Sequence, residues 1–102
     1  MDAAKYPPPS LLRKAHDVLQ ALFAAGALGM EQADIRKVAR LSDSNTTRYL
    51  AQLANLGWVE RVDESSRWRI GIAFARMAQR QLLAVARDEQ TVSEFKQRIT
   101  RI

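Results

Sequence analysis

A chain of 102 residues with 47% hydrophobic and 26% charged side chains has the length and composition of one soluble domain with a modest core. The absence of cysteine excludes a disulfide framework and a thiolate metal site, and no apolar run approaches the length of a membrane span. The opening MDAAKYPPPS lacks the apolar centre of a signal peptide, so the expected placement is cytoplasmic. Sixteen Lys and Arg against eleven Asp and Glu leave a net +5 and a pI near 10.2, a balance that fits a nucleic-acid partner. The excess is uneven: residues 34–76 hold eight basic and five acidic side chains, whereas residues 1–33 hold three of each.

Pro7, Pro8 and Pro9 bar a helix before them, so residues 1–9 are expected to form a flexible, proline-rich leader. Ser10 stands where it would cap a first helix over 11–25. Its apolar stripe is Leu11, Leu12, Ala15, Val18, Leu19, Leu22 and Phe23. Gly26 and Gly29 bracket a connection in which Ala27, Leu28 and Met30 suit a very short strand. A second helix over 32–39 turns Ala33, Ile35, Val38 and Ala39 inward and Arg36 and Lys37 outward, with no good N-cap before it.

The third helix, 42–56, carries the functional signal. Leu41, Tyr49, Leu50, Leu53 and Leu56 fall on one side, Ser42 is placed to cap the start, and Gly57 follows the last apolar position. The opposite side holds Ser44, Asn45, Thr47, Arg48, Gln52 and Asn55, short donors and acceptors where a merely solvated helix carries more Glu and Lys. Asn and Gln can bond base edges in a major groove, and Arg can bond guanine or phosphate. Two short helices joined by a tight turn, the second with such a face, make a helix-turn-helix.

After Gly57 the period changes from helix to strand. Residues 58–62 and 67–70 alternate in polarity and are rich in β-branched and aromatic residues, with Asp63, Glu64, Ser65 and Ser66 as the loop of a hairpin. Trp68 and Ile70 share one face and Arg67 and Arg69 the other. Trp58 and Trp68 are expected to pack against the third helix, and the two arginines to meet phosphate. A hairpin directly after a reading helix is the wing of a winged helix.

The run from Ala33 to Met77 resembles the DNA-binding domain of the IclR family of bacterial transcriptional regulators. The features that carry the likeness are Leu41 at the turn, Ser44 to Thr47 at the helix start, Arg48, Leu53, Leu56-Gly57-Trp58-Val59, and Trp68-Arg69-Ile70-Gly71 opening a further helix. Arg40 stands where the family usually has a turn glycine, and Ser42-Asp43 where it has Pro-Lys. Asp43 suits the positive end of the helix dipole but repels phosphate. The family's effector-binding domain has no room in this chain, so the resemblance implies DNA binding without ligand sensing.

Beyond the wing, Ile72 to Arg87 is alanine-rich and helical in spacing. Asp88, Glu89 and Gln90 are read as an interruption, and Thr91-Val92-Ser93-Glu94 as a capping box for a last helix. Val92, Phe95, Ile99 and Ile102 repeat at three, four and three residues, the seam spacing of a coiled coil and a candidate dimerisation element. His16, the one histidine, lies beside the first stripe and reads as a structural or surface residue. No catalytic set, cofactor motif or metal-ligand spacing is present.

The expected fold is therefore mainly α with a small β-hairpin: a leader (1–9), a winged helix-turn-helix (10–76) and a helical extension (77–102) that pairs two chains. The expected function is non-enzymatic: a homodimeric transcriptional regulator of duplex DNA, with no cofactor and no small-molecule effector. Ser44, Asn45, Thr47, Arg48 and Gln52 form its reading face, and Arg67 and Arg69 its wing contacts. The alternative is a winged-helix protein-interaction module in a larger assembly, a reading to which Asp43, Asp63 and Glu64 lend some weight.

Overall fold

The computed structural model describes residues 2–101. After a short 3-10 turn at Ala3–Lys5, helix α1 (Ser10–Ala25) begins directly behind the prolines. Pro9 is its N-cap and its carbonyl takes the first helical bond from Arg13 N–H at 3.0 Å, so Ser10 is a helical residue and caps nothing. Only Val18, Ala21 and Leu22 of α1 are buried. Leu11, Leu12 and Phe23, expected on the packed stripe, are at least half exposed, and Phe23 is covered only in part, its ring meeting that of Phe74 edge-on with centroids 5.4 Å apart.

A 3-10 turn (Gly26–Leu28) leads into the short strand β1 (Met30–Glu31) and helix α2 (Gln32–Ala39). Ile35 and Ala39 pack inward, whereas Ala33 and Val38 stay exposed. The turn after α2 explains the missing glycine. Arg40 adopts the left-handed conformation (φ 55°, ψ 52°), its N–H reaching Lys37 O and the Leu41 N–H reaching Arg36 O at 3.0 Å. That is a Schellman closure, which glycine usually provides because an L side chain is strained there. Lys14 of α1 adds a charged clamp, its Nζ donating to Ala39 O at 2.8 Å and Arg40 O at 3.2 Å. A cation on the last carbonyls of a helix opposes the negative end of its dipole.

Helix α3 (Asp43–Asn55) starts as its sequence dictates: the Ser42 side chain accepts from Asn45 N–H at 3.1 Å. Thr46, Leu50 and Leu53 are its buried residues, and Leu56, expected inside, is 60% exposed. Thr46 is tolerated in the core because its hydroxyl donates to Ser42 O at 2.7 Å, leaving no polar atom unsatisfied. Strands β2 (Val59–Arg61) and β3 (Arg67–Ile70) form the wing hairpin, and β1 adds to the far edge of β3, giving the antiparallel order β1-β3-β2. Met30 and Arg61 flank Trp68, and Val59 faces Ile70.

The core gathers Val18 and Leu22 of α1, Ile35 and Ala39 of α2, Leu41, Leu50 and Leu53 around α3, and Val59 and Trp68 of the sheet. Each large side chain fully buried contributes about 1.5–3 kcal/mol, and truncating Leu50 to Ala would cost about 2–5 kcal/mol. Trp68 joins this core, while Trp58 packs edge-on against Phe74 of the next helix with ring centroids 5.0 Å apart. Gly57, at φ 77°, closes α3, and Gly71 N–H donates to Trp58 O at 2.8 Å. A Cβ on Gly71 would strike the Gly57 carbonyl, so the end of α3 and the exit from the wing touch backbone to backbone.

Helix α4 (Ile72–Thr100) departs most from expectation. It runs unbroken for 29 residues, about 43 Å at 1.5 Å per residue, through the foreseen break and across the 76/77 boundary. Asp88, Glu89 and Gln90 contain no glycine or proline, and Gln90 Nε2 donates to Glu94 Oε1 along the helix. Thr91 is not a cap: its hydroxyl bonds back to Arg87 O at 3.1 Å. Apart from Phe74 and Ala84, every described residue from Ile72 onward is exposed, and the chain measures 67 Å along its longest axis. Its radius of gyration of 19.1 Å exceeds the roughly 13 Å of a compact domain of this length because α4 projects away from the rest. Ile102 lies outside the described residues.

Candidate nucleic-acid interface

Helix α3 lies with Thr46, Leu50 and Leu53 in the core, which fixes what faces outward. Ser44, Thr47, Arg48 and Gln52 are exposed, and Asn45 is half-buried. Four of the five expected reading residues are therefore exposed on one surface, with the fifth at its edge. Ser44 Oγ is 3.4 Å from the Ser42 hydroxyl. Thr47 is held more firmly, donating to Asp43 O at 3.2 Å and accepting from Gln32 Nε2 at 3.0 Å.

Asp43 is not a bare carboxylate beside this surface. Arg36 of α2 reaches it at 3.1 Å, offsetting a negative charge that would otherwise repel phosphate at the start of the helix. Asp43 itself is almost wholly exposed, so the pair is a screened, surface interaction.

The wing arginines are placed differently from expectation. Alternation does put Arg67 and Arg69 on the face opposite Trp68, but their guanidinium groups turn to the protein. Arg67 donates to Leu28 O at 3.0 Å, to Gly29 O at 2.8 Å and to Glu31 Oε1 at 3.3 Å. Arg69 lies 3.5 Å from Glu60 Oε1 and 3.4 Å from Ala27 O. They tie the wing to the β1 edge and the Gly26–Leu28 turn, and three of the five donor hydrogens of Arg67 are already engaged. The Ser66 hydroxyl donates to the same Glu31 carboxylate. Arg61 is the exposed wing cation, its guanidinium carbon 5.4 Å from the Trp68 ring centroid.

A family model for the IclR helix-turn-helix domain matches residues 11–63, just over half the chain. The chain belongs to the IclR helix-turn-helix family. The match opens with α1, takes in the whole helix-turn-helix and ends in the wing loop. Membership makes the protein one of a DNA-binding family of regulators, and the winged helix-turn-helix with a C-terminal helix is the fold that the residues lead to. No curated protein matches the chain.

Within this family member, side chains given no role in the sequence analysis brace α3 and the turn before it: Gln32 on Thr47, Arg36 on Asp43, and Lys14 under the turn. Each is distant in the chain from what it supports, so no local pattern marks it. His16 is exposed and donates from Nδ1 to Asp17 Oδ1 at 3.1 Å, a local surface contact. Among the described residues no group of His, Asp and Glu side chains comes together as a metal-binding set, and no helix is long and apolar enough to cross a membrane.

Proposed function

We propose that the protein is a sequence-specific regulator that lays α3 in the major groove of duplex DNA and acts as a homodimer. The observation that supports the first part is the division of α3, with Thr46, Leu50 and Leu53 buried and Ser44, Thr47, Arg48 and Gln52 exposed together. Asn45 and Gln52 have the amides that bond adenine, Arg48 the guanidinium that bonds guanine or phosphate, and Ser44 a hydroxyl suited to phosphate. The wing rests beside the helix as a rigid flank. Arg67 and Arg69 act there first as ties, and only their remaining donors are available to backbone or minor groove.

One winged helix covers only a few base pairs, and regulators of this type gain affinity by pairing two units on half-sites about 34 Å apart or multiples of that distance. Helix α4 supplies the surface for pairing. Ala78, Val85, Val92 and Ile99 recur every seven residues, and Phe95 occupies the alternate seam position, whereas Phe74 in the same register is already packed against Trp58 and Phe23 of its own chain. Val92, Phe95 and Ile99 are all more than half exposed in the single chain, an apolar stripe that a second α4 would cover.

Selection of duplexes from a random pool tests the reading. The protein is expected to enrich one sequence, with Asn45→Ala and Gln52→Ala losing about 1–3 kcal/mol on that sequence and little on others. Enrichment of no sequence, or full specificity in both variants, would remove α3 as the reading element.

A further inference from the structure

Gln32 opens α2 with its side-chain amide between the wing and the reading helix. The Trp68 indole donates from Nε1 to Gln32 Oε1 at 3.1 Å, and Gln32 Nε2 donates to Thr47 Oγ1 at 3.0 Å. Thr47 Oγ1 in turn lies 3.2 Å from the Asp43 carbonyl. The direction of every bond in this chain is set by chemistry. An indole N–H can only donate, so the amide oxygen must face Trp68 and the amide NH2 must face Thr47. An amide NH2 can only donate, so the Thr47 oxygen accepts there. A backbone carbonyl can only accept, so the single hydroxyl hydrogen of Thr47 goes to Asp43. Thr47 has no hydrogen left to give a ligand, and its exposed side chain has chiefly a methyl group to offer.

We propose that Thr47 is a specificity-determining residue that reads the 5-methyl group of a thymine, and that Gln32 is the positioning residue that makes it do so. The proposal rests on the reading that α3 enters the major groove. Thymine alone among the four bases presents a methyl group there, and a threonine methyl is one of its apolar partners. A threonine with a free hydroxyl bonds donors and acceptors on several bases and discriminates little. Locking the hydroxyl between Gln32 and Asp43 uses its one hydrogen and one of its two lone pairs, so that permissiveness is sharply narrowed. The same amide joins the reading residue to Trp68 in β3, so the wing and α3 hold Thr47 together.

The test begins with the duplex that the protein selects from a random pool, each thymine then replaced singly by deoxyuridine, which lacks only the methyl. Wild-type protein is expected to bind about fourfold more weakly at one such position in each half-site, the loss of roughly one buried methyl group. Thr47→Val, which keeps the methyl and lacks the hydroxyl, retains that thymine-to-deoxyuridine ratio whatever its absolute affinity. Thr47→Ser, which keeps the hydroxyl and lacks the methyl, binds both duplexes alike. Thr47 is exposed, so neither change opens the core. Gln32→Ala frees the hydroxyl and is expected to relax base preference at that position while leaving the salt dependence of binding unchanged, a combination that loss of structure would not produce. A selected sequence indifferent to deoxyuridine at every position, or a Thr47→Ser variant as discriminating as wild type, overturns the assignment of Thr47. A pool that yields no preferred sequence overturns the major-groove reading beneath it.

Discussion

Arg67 Nη1 stands 3.3 Å from Glu31 Oε1, a tie between β3 and β1 that adds to their strand pairing and to the burial of Trp68 in holding the wing to the domain. The same guanidinium reaches the Leu28 and Gly29 carbonyls, and both partners of the ion pair are about 40% exposed, so solvent weakens the Coulombic share. Arg67→Ala is expected to destabilise the fold by about 1–2 kcal/mol in urea unfolding. Arg67→Lys should rescue little of this, because a point charge cannot reproduce three directed bonds. A variant as stable as wild type with a lowered salt slope in DNA binding would instead make Arg67 a phosphate contact.

Arg40 stands at φ 55°, where a side chain is strained and glycine is not. Arg40→Gly is expected to raise stability by about 0.5–1 kcal/mol, partly offset by the greater entropy of the unfolded chain. Thermal unfolding of the two proteins decides it, and a destabilised glycine variant would mean that the Arg40 side chain contributes something its backbone does not reveal.

Arg36 and Asp43 form the ion pair at the start of α3. Arg36→Ala should leave an uncompensated carboxylate beside bound phosphate and weaken DNA binding at low salt by a few-fold, about 1 kcal/mol or less for an exposed pair. Adding Asp43→Asn should restore most of the loss. Two additive losses in the double variant would separate the residues.

The elements that follow local chemistry were legible in the sequence. Ser42 caps α3, Gly57 ends it, and residues 63–66 turn the hairpin because cap and turn residues act on their own neighbours. The apolar face of α1 was legible too, but not that Leu11 and Leu12 lie beyond anything that could cover them, since periodicity marks a face and not its partner. The supposed break in α4 failed because charged residues interrupt an apolar pattern without interrupting a helix. At the site, the exposed side of α3 followed from spacing. The ties of Arg67 to Leu28 and Gly29, and of Gln32 to Thr47 and Trp68, did not, because each joins segments brought together only by folding.

The proposed pairing through α4 makes opposite demands on two kinds of substitution. Phe95→Asp with Ile99→Asp should convert a dimer into a folded monomer with weakened DNA binding, as sedimentation and anisotropy would report. Asp88 lies in the same seam as Phe95, seven residues earlier, so Asp88→Leu should tighten the dimer. A dimer unmoved by all three changes would place the interface elsewhere, and a wild-type protein that stays monomeric at tens of micromolar would rule the pairing out.

Binding to labelled duplex DNA, followed by anisotropy across a salt series, tests the central claim most directly. If three to five cationic groups neutralise phosphates, log K should fall against log salt with a slope between about −3 and −5, and Arg48→Ala should reduce that slope by roughly one if its guanidinium holds a phosphate. A reading arginine would instead lose the preferred sequence at nearly constant slope. No binding to duplex DNA at low salt, with the protein folded, would contradict the account.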